Sequence, residues 1–196
     1  MQPLIDNARL FGQRPEEFAR LAEGQSPQVL FITCSDSRVV PALITGARPG
    51  ELFELRTAGN IVPPYASEHP TSEAATIEYA VEVLGVGDIV VCGHSHCGAV
   101  GALVRGDDLD AVPAVRDWLQ SASPRPAGAT EDPAVAEGVQ SHILAQVLRL
   151  RSYPFIDKKL TEDQLTLHAW YYEVHTGRVR AHRAETDAFE GLRSGC

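Results

Sequence analysis

Val29-Leu30-Phe31-Ile32-Thr33 runs straight into Cys34-Ser35-Asp36-Ser37-Arg38, and Asp88-Ile89-Val90-Val91-Cys92 runs, one glycine later, into His94-Ser95-His96-Cys97-Gly98. Both apolar runs are short, unbroken and rich in β-branched residues, the pattern of strands buried on both faces of a sheet. Parallel strands gather ligands outside their carboxyl ends, which would bring Cys34 to His94 and Cys97 although sixty residues separate the first two. Two thiolates and one imidazole are one ligand short of a closed tetrahedral zinc site. Three protein ligands leave a position for water, so the set points to a catalytic metal rather than a scaffold. The plainer alternative is two buried free thiols and a core histidine, which is ordinary for either residue type alone.

Outward from these segments the chain alternates strand and helix patterns. Gln28 to Thr33, Glu51 to Thr57 and Asp88 to Cys92 read as buried strands, and Val40 to Ile44 and Thr71 to Leu84 as helices between them. Thr71-Ser72-Glu73 supplies N-cap chemistry for the longer helix. Strand, helix, strand in repetition implies right-handed crossovers and a mainly parallel sheet. Upstream, Leu4, Ile5, Ala8, Leu10, Phe11, Phe18 and Leu21 have helical spacing as far as Ala22, with Pro15 opening a second segment before Gly24-Gln25-Ser26-Pro27 breaks the pattern. Downstream, Ala102 to Tyr153 is helical and acidic, interrupted by a loop at Ser121 to Gly128. Gln164 to Val174 and Val179 to His182, joined through Thr176-Gly177, read as a final hairpin, and the residues after it as a loose tail.

The expected fold is therefore α/β, a mainly parallel central β-sheet flanked by helices, with an N-terminal helical arm and a C-terminal strand extension. One domain is expected over residues 1–196: an arm over about 1–23, a metal-binding α/β core over about 24–105, and a helical and C-terminal strand part over about 106–185.

A net charge of −9 argues against a nucleic-acid partner, which needs a basic face. The four cysteines are unevenly spaced, and a chain of 196 residues needs no disulfide framework, so a reducing cytoplasm is the expected setting. No stretch approaches the roughly 20 apolar residues of a membrane span, and Met1-Gln2-Pro3-Leu4-Ile5-Asp6 lacks the blocks of a signal peptide. Asp36 and Arg38 stand two and four residues past Cys34, close enough to pair beside a metal. A solvated surface pair is the plainer alternative. Asp36 could also move onto the metal as a fourth ligand and shut the site.

Cys-x-Asp-x-Arg followed some sixty residues later by His-x-x-Cys resembles the β-class carbonic anhydrases. The resemblance takes in Gly24-Gln25-Ser26-Pro27, Pro49-Gly50-Glu51, Arg56-Thr57-Ala58-Gly59-Asn60, Glu78-Tyr79-Ala80 and Leu167-His168-Ala169-Trp170-Tyr171-Tyr172, and spans roughly Met1 to Arg183. It implies reversible hydration of carbon dioxide to bicarbonate and a proton by a zinc-bound hydroxide, with one zinc per chain on Cys34, His94 and Cys97 and a catalytic dyad of Asp36 and Arg38. It also implies a homodimer or higher homo-oligomer with the pocket at the dimer interface. There Gln25 would orient the substrate, Phe53 and Tyr79 would be apolar walls, and Gly59 would let the backbone pass close. For Phe53 and Tyr79 the residues alone suggest plain core packing.

Departures from the family pattern are informative. Some members place a Trp three residues before the first Cys, as part of a bicarbonate-binding regulatory site; Phe31 stands there, although Arg56 remains, so the chain resembles the constitutively open subtype. A proton-shuttling His found in other members is replaced by Val83. Carbonyl sulfide or carbon disulfide hydrolysis on the same fold is the rival activity. A structural or redox zinc module, closed by Asp36 or by a Cys34–Cys97 disulfide, is the rival of a different class.

Overall fold

The computed structural model describes residues 1–11, 18–122 and 132–192. Its centre is a six-stranded sheet in the order β2-β1-β3-β4-β5-β6, built from β1 (Val29–Cys34), β2 (Leu52–Thr57), β3 (Asp88–His94), β4 (Thr166–Tyr172), β5 (Val179–Arg183) and β6 (Ala188–Gly191). The first four strands are parallel; β5 and β6 are antiparallel additions at one edge. The expected α/β class and mainly parallel sheet are observed.

Alternation along the strands divides the core. Leu30, Ile32, Ile89 and Val91 face one side, where they meet Ala74, Ile77, Val139, Ile143 and Leu150 in the larger apolar cluster. Phe31, Val90 and Cys92 face the other, with Val29, Leu52, Trp170 and Tyr172 around them. The helices are α1 (Gln2–Phe11), α2 (Pro41–Thr45), α3 (Ser72–Glu78), α4 (Gly98–Arg105), α5 (Pro113–Gln120), α6 (Ala136–Arg151) and α7 (Pro154–Thr161). Thr71 caps α3 as expected, its hydroxyl accepting from the Ala74 amide at 3.1 Å. The expected helix through Leu84 then widens into one π-turn over Tyr79–Val83, a single wide turn of the kind often found at functional sites. In the arm, α1 ends at Phe11 with none of its residues buried, and a 3₁₀ turn covers Ala19–Glu23.

The loose tail is corrected. Ala188–Gly191 pairs with β5, and Phe189 packs on His182 and Tyr171 at ring separations of 5.3 and 6.4 Å. One aromatic anchor and a free strand edge suffice to order a segment with little strand propensity of its own. The expected helix start at Pro15, most of the expected loop at Ser121 to Gly128, and residues 193–196 lie outside the described residues. Among those described, no helix is long and apolar enough to cross a membrane.

Candidate metal centre

Two parallel strands bring the chemistry to one edge. Cys34 ends β1, His94 ends β3, and Cys97 precedes α4 as its N-cap residue, so the two strand ends and the turn after His94 converge as the spacing implied. The ligand atoms of Cys34, His94 and Cys97 lie within 4.8 Å of one another, and all three residues are buried. The expected cluster is present.

Its donor set suits a metal. His94 Nδ1 lies 2.9 Å from the Ser95 carbonyl, which can only accept, so Nδ1 carries the proton and Nε2 keeps its lone pair. That Nε2 is fully buried and has no hydrogen-bond partner among the described residues. A buried acceptor left without a donor is costly, and a cation beside two thiols resolves it. The thiols behave as a pair: a hydrogen bond from Cys97 draws the negative charge to Cys34 and lowers its pKa, while the same bond pushes Cys97 up. The Gly59 amide also donates to Cys34 Sγ at 3.4 Å. Sulfur and imidazole donors together favour zinc.

Asp36 lies at the rim. Arg38 grips it through the backbone amide (2.9 Å), Nε (2.9 Å) and Nη2 (2.7 Å), and the same Nη2 reaches the His96 carbonyl at 3.1 Å. The guanidinium holds the Asp36 carboxyl well below the usual carboxylate range. Asp36 Oδ2 is 3.8 Å from the free His94 Nε2. Arg56 points elsewhere, donating to the carbonyls of Cys34, Asp36 and Val39 at 2.7–3.2 Å, and so staples the turn that presents the dyad. Phe31 is buried on the opposite sheet face, edge-on to Trp170.

Gly59 has φ +74°, a left-handed conformation, and a side chain there would meet Ala99 Cβ at 3.1 Å. It is brought to the cluster; Gln25, Phe53 and Tyr79 are not. Phe53 pairs with Leu30 in register, four residues before the level of Cys34 and Thr57, which puts it about 13 Å away along the strands. Its ring lies 6.0 Å from that of Tyr79, which is 44% exposed, and Gln25 is exposed ahead of β1. These three stand by the strand starts, at the opposite edge from the cluster.

Sequence reasoning missed His142 and Gln146. Both are buried on α6, and His142 Nε2 lies 2.7 Å from the Gly59 carbonyl. Their spacing of four residues on an otherwise apolar helix face was the available signal.

Residues 29–179 match the model of a family described as "Carbonic anhydrase". A carbonic anhydrase of Pseudomonas aeruginosa is 47% identical over 192 residues, covering 92% of this chain and 87% of that protein. The solved β-carbonic anhydrase CcaA superposes with a TM-score of 0.88 at 36% identity, covering 98% of this chain and 99% of its own. A β-carbonic anhydrase from Sordaria macrospora, described as tetrameric, gives 0.76 at 30% identity over 92% of this chain and 94% of its own.

Proposed function

The chain belongs to the carbonic anhydrase family of lyases, in its β class, and from that premise we propose that it catalyses the reversible hydration of carbon dioxide to bicarbonate and a proton. One observation carries the reading: a buried imidazole nitrogen with no hydrogen-bond partner among the described residues stands with two thiols, 3.8 Å from an ionised carboxylate. Cys34, His94 and Cys97 would hold one zinc per chain. Bound there, zinc would supply a coordinated water acidified enough to act as a nucleophile; in a three-histidine carbonic anhydrase centre the fall is from 15.7 to about 7, and two thiolates, which donate more charge, would leave it somewhat higher.

The chain's own residues do the rest. Asp36, kept ionised by Arg38, can only accept a hydrogen bond, so it holds the nucleophile's remaining proton and turns a lone pair toward the substrate. Arg38 fixes that carboxylate in one orientation through three donors. Gly59 keeps the backbone beside Cys34 free of a side chain. Carbon dioxide is linear and uncharged, and an apolar wall binds it by dispersion. Phe53, Tyr79 and Gln25 cannot provide that wall within their own chain, so we assign them to the site of a second copy in a homodimer or larger assembly. The domain spans residues 1–196, and a reducing cytoplasm suits its thiols.

Stopped-flow hydration by the zinc-loaded protein tests this, with carbonyl sulfide and carbon disulfide as competing substrates. Hydration should dominate, and Cys34→Ser, His94→Ala and Cys97→Ser should each lose zinc and rate together. Full zinc content and normal rates in the three variants would remove the metal assignment, and preferential turnover of a sulfur substrate would remove the carbon dioxide assignment.

A further inference from the structure

Four hydrogen bonds run in series from α6 to the first thiolate. The Val62 amide donates to Gln146 Oε1 at 2.9 Å, Gln146 Nε2 approaches His142 Nδ1 at 3.5 Å, His142 Nε2 meets the Gly59 carbonyl at 2.7 Å, and the Gly59 amide donates to Cys34 Sγ at 3.4 Å. A carbonyl only accepts, so His142 Nε2 carries the proton. Nδ1 is then the acceptor, and the Gln146 amide must turn its NH₂ toward the ring and its oxygen toward Val62. Every atom of the series has one consistent role.

We infer that His142 is a positioning residue for the metal centre, acting through Gly59 on Cys34. The inference rests on zinc being held by Cys34, His94 and Cys97. His142 and Gln146 stand one helical turn apart on α6 and grip the Gly59-to-Val62 segment at its two ends. Gly59 is the weak point of that segment, because its left-handed backbone has many alternatives open to it. The observed one aims its amide at Cys34. The imidazole that holds the Gly59 carbonyl fixes the peptide after Gly59 and so restrains how far the amide before it, the N–H donor on the thiolate, can turn away. Such a donor restrains the sulfur and tempers its charge, the two properties by which outer hydrogen bonds tune a metal. A histidine kept merely for packing could be any side chain of its volume. This one is fully buried, and burial pushes its pKa down to about 4, so it is a neutral donor at working pH.

Full-length His142→Phe keeps the ring's bulk without the donor, and His142→Gln puts an amide nitrogen at the same reach as Nε2. Zinc dissociation constants come from competition with a chromophoric chelator, alongside hydrogen exchange at the Gly59 amide. The Phe variant should bind zinc roughly 10–100-fold more weakly and lose Gly59 protection, with the Gln variant recovering most of both. Wild-type affinity in a folded Phe variant, or equal losses in Phe and Gln, would overturn the inference. If neither variant folds, ¹⁵N-imidazole spectra of the wild-type holoprotein decide: a neutral ring protonated at Nε2 supports the series, and an Nδ1–H tautomer or an imidazolium refutes it. A wild-type chain that takes up no zinc would instead strike at the proposed function, and is distinguished by the stoichiometry of the same titration.

Discussion

A carboxylate held by a guanidinium gives up its proton readily and its position reluctantly. Asp36 receives three hydrogen bonds from Arg38 alone, so moving onto a metal would leave the guanidinium without its main partner. Because Arg38 lowers its pKa, Asp36 is ionised in the folded chain throughout the range above an ordinary carboxylate's pKa of about 3.9. The stability it lends is present above that pH and is lost only as pH falls through its depressed folded value. Any acid limb of activity near neutrality therefore belongs to another group. Asp36→Asn should keep zinc within a few-fold of the wild type while turnover at the high-pH plateau falls roughly a hundredfold. An unchanged plateau would reduce Asp36 to a surface charge.

Among the elements, the seating of α6 on β3 sets the geometry around the centre. Gly93, the residue before His94, has no room for a methyl group: a Cβ there would lie 2.8 Å from Ile143 Cδ1 and from Val139 Cγ1, the residues flanking one face of His142's turn. Gly93→Ala should cost about 1–3 kcal/mol in urea unfolding, because a branched Val139 cannot swing aside. It should also weaken zinc binding; an unchanged midpoint and unchanged affinity would show that α6 yields freely. The strands β1 and β3 were legible because continuous burial writes itself as continuous apolar sequence, and the three ligands followed from where they end; β2, expected to be buried like them, lies at the sheet edge and exposes Glu54 and Arg56. Other features left little or no local signature. Ala188–Gly191 is ordered by an edge and one phenylalanine, the π-turn at Tyr79–Val83 leaves no pattern in composition, and His142, marked in sequence only by its spacing of four from Gln146, meets its partner 83 residues away. The family resemblance grouped Phe53 and Tyr79 with the metal ligands, but only strand register reveals that they stand at the far edge.

For the whole molecule, the second sheet face is covered only in part: Phe31, Val90 and Cys92 are buried, and Val29, Leu52, Trp170 and Tyr172 around them are half-buried. Val29, Leu52 and Trp170, with Phe31 and Val90, line a groove of about 530 Å³ between strand starts and the α2 turn. Nearby in sequence α1 leaves Leu4, Leu10 and Phe11 more than half exposed. Apolar surfaces of this kind on one chain mark an interaction site, and light scattering should find a dimer or larger assembly at working concentration, where a monodisperse, fully active monomer would contradict the assignment. Under the pairing proposed here, the edge carrying Cys34 and the edge carrying Phe53 serve different centres. Ownership of an active site is then shared between neighbours: a chain with a broken thiolate still lends a sound wall, and a chain with a broken wall still lends sound thiolates. In a mixed population, one faulty copy would not simply subtract itself. Its defect would be distributed by the statistics of who meets whom, and two different defects could meet in an assembly that keeps one intact centre.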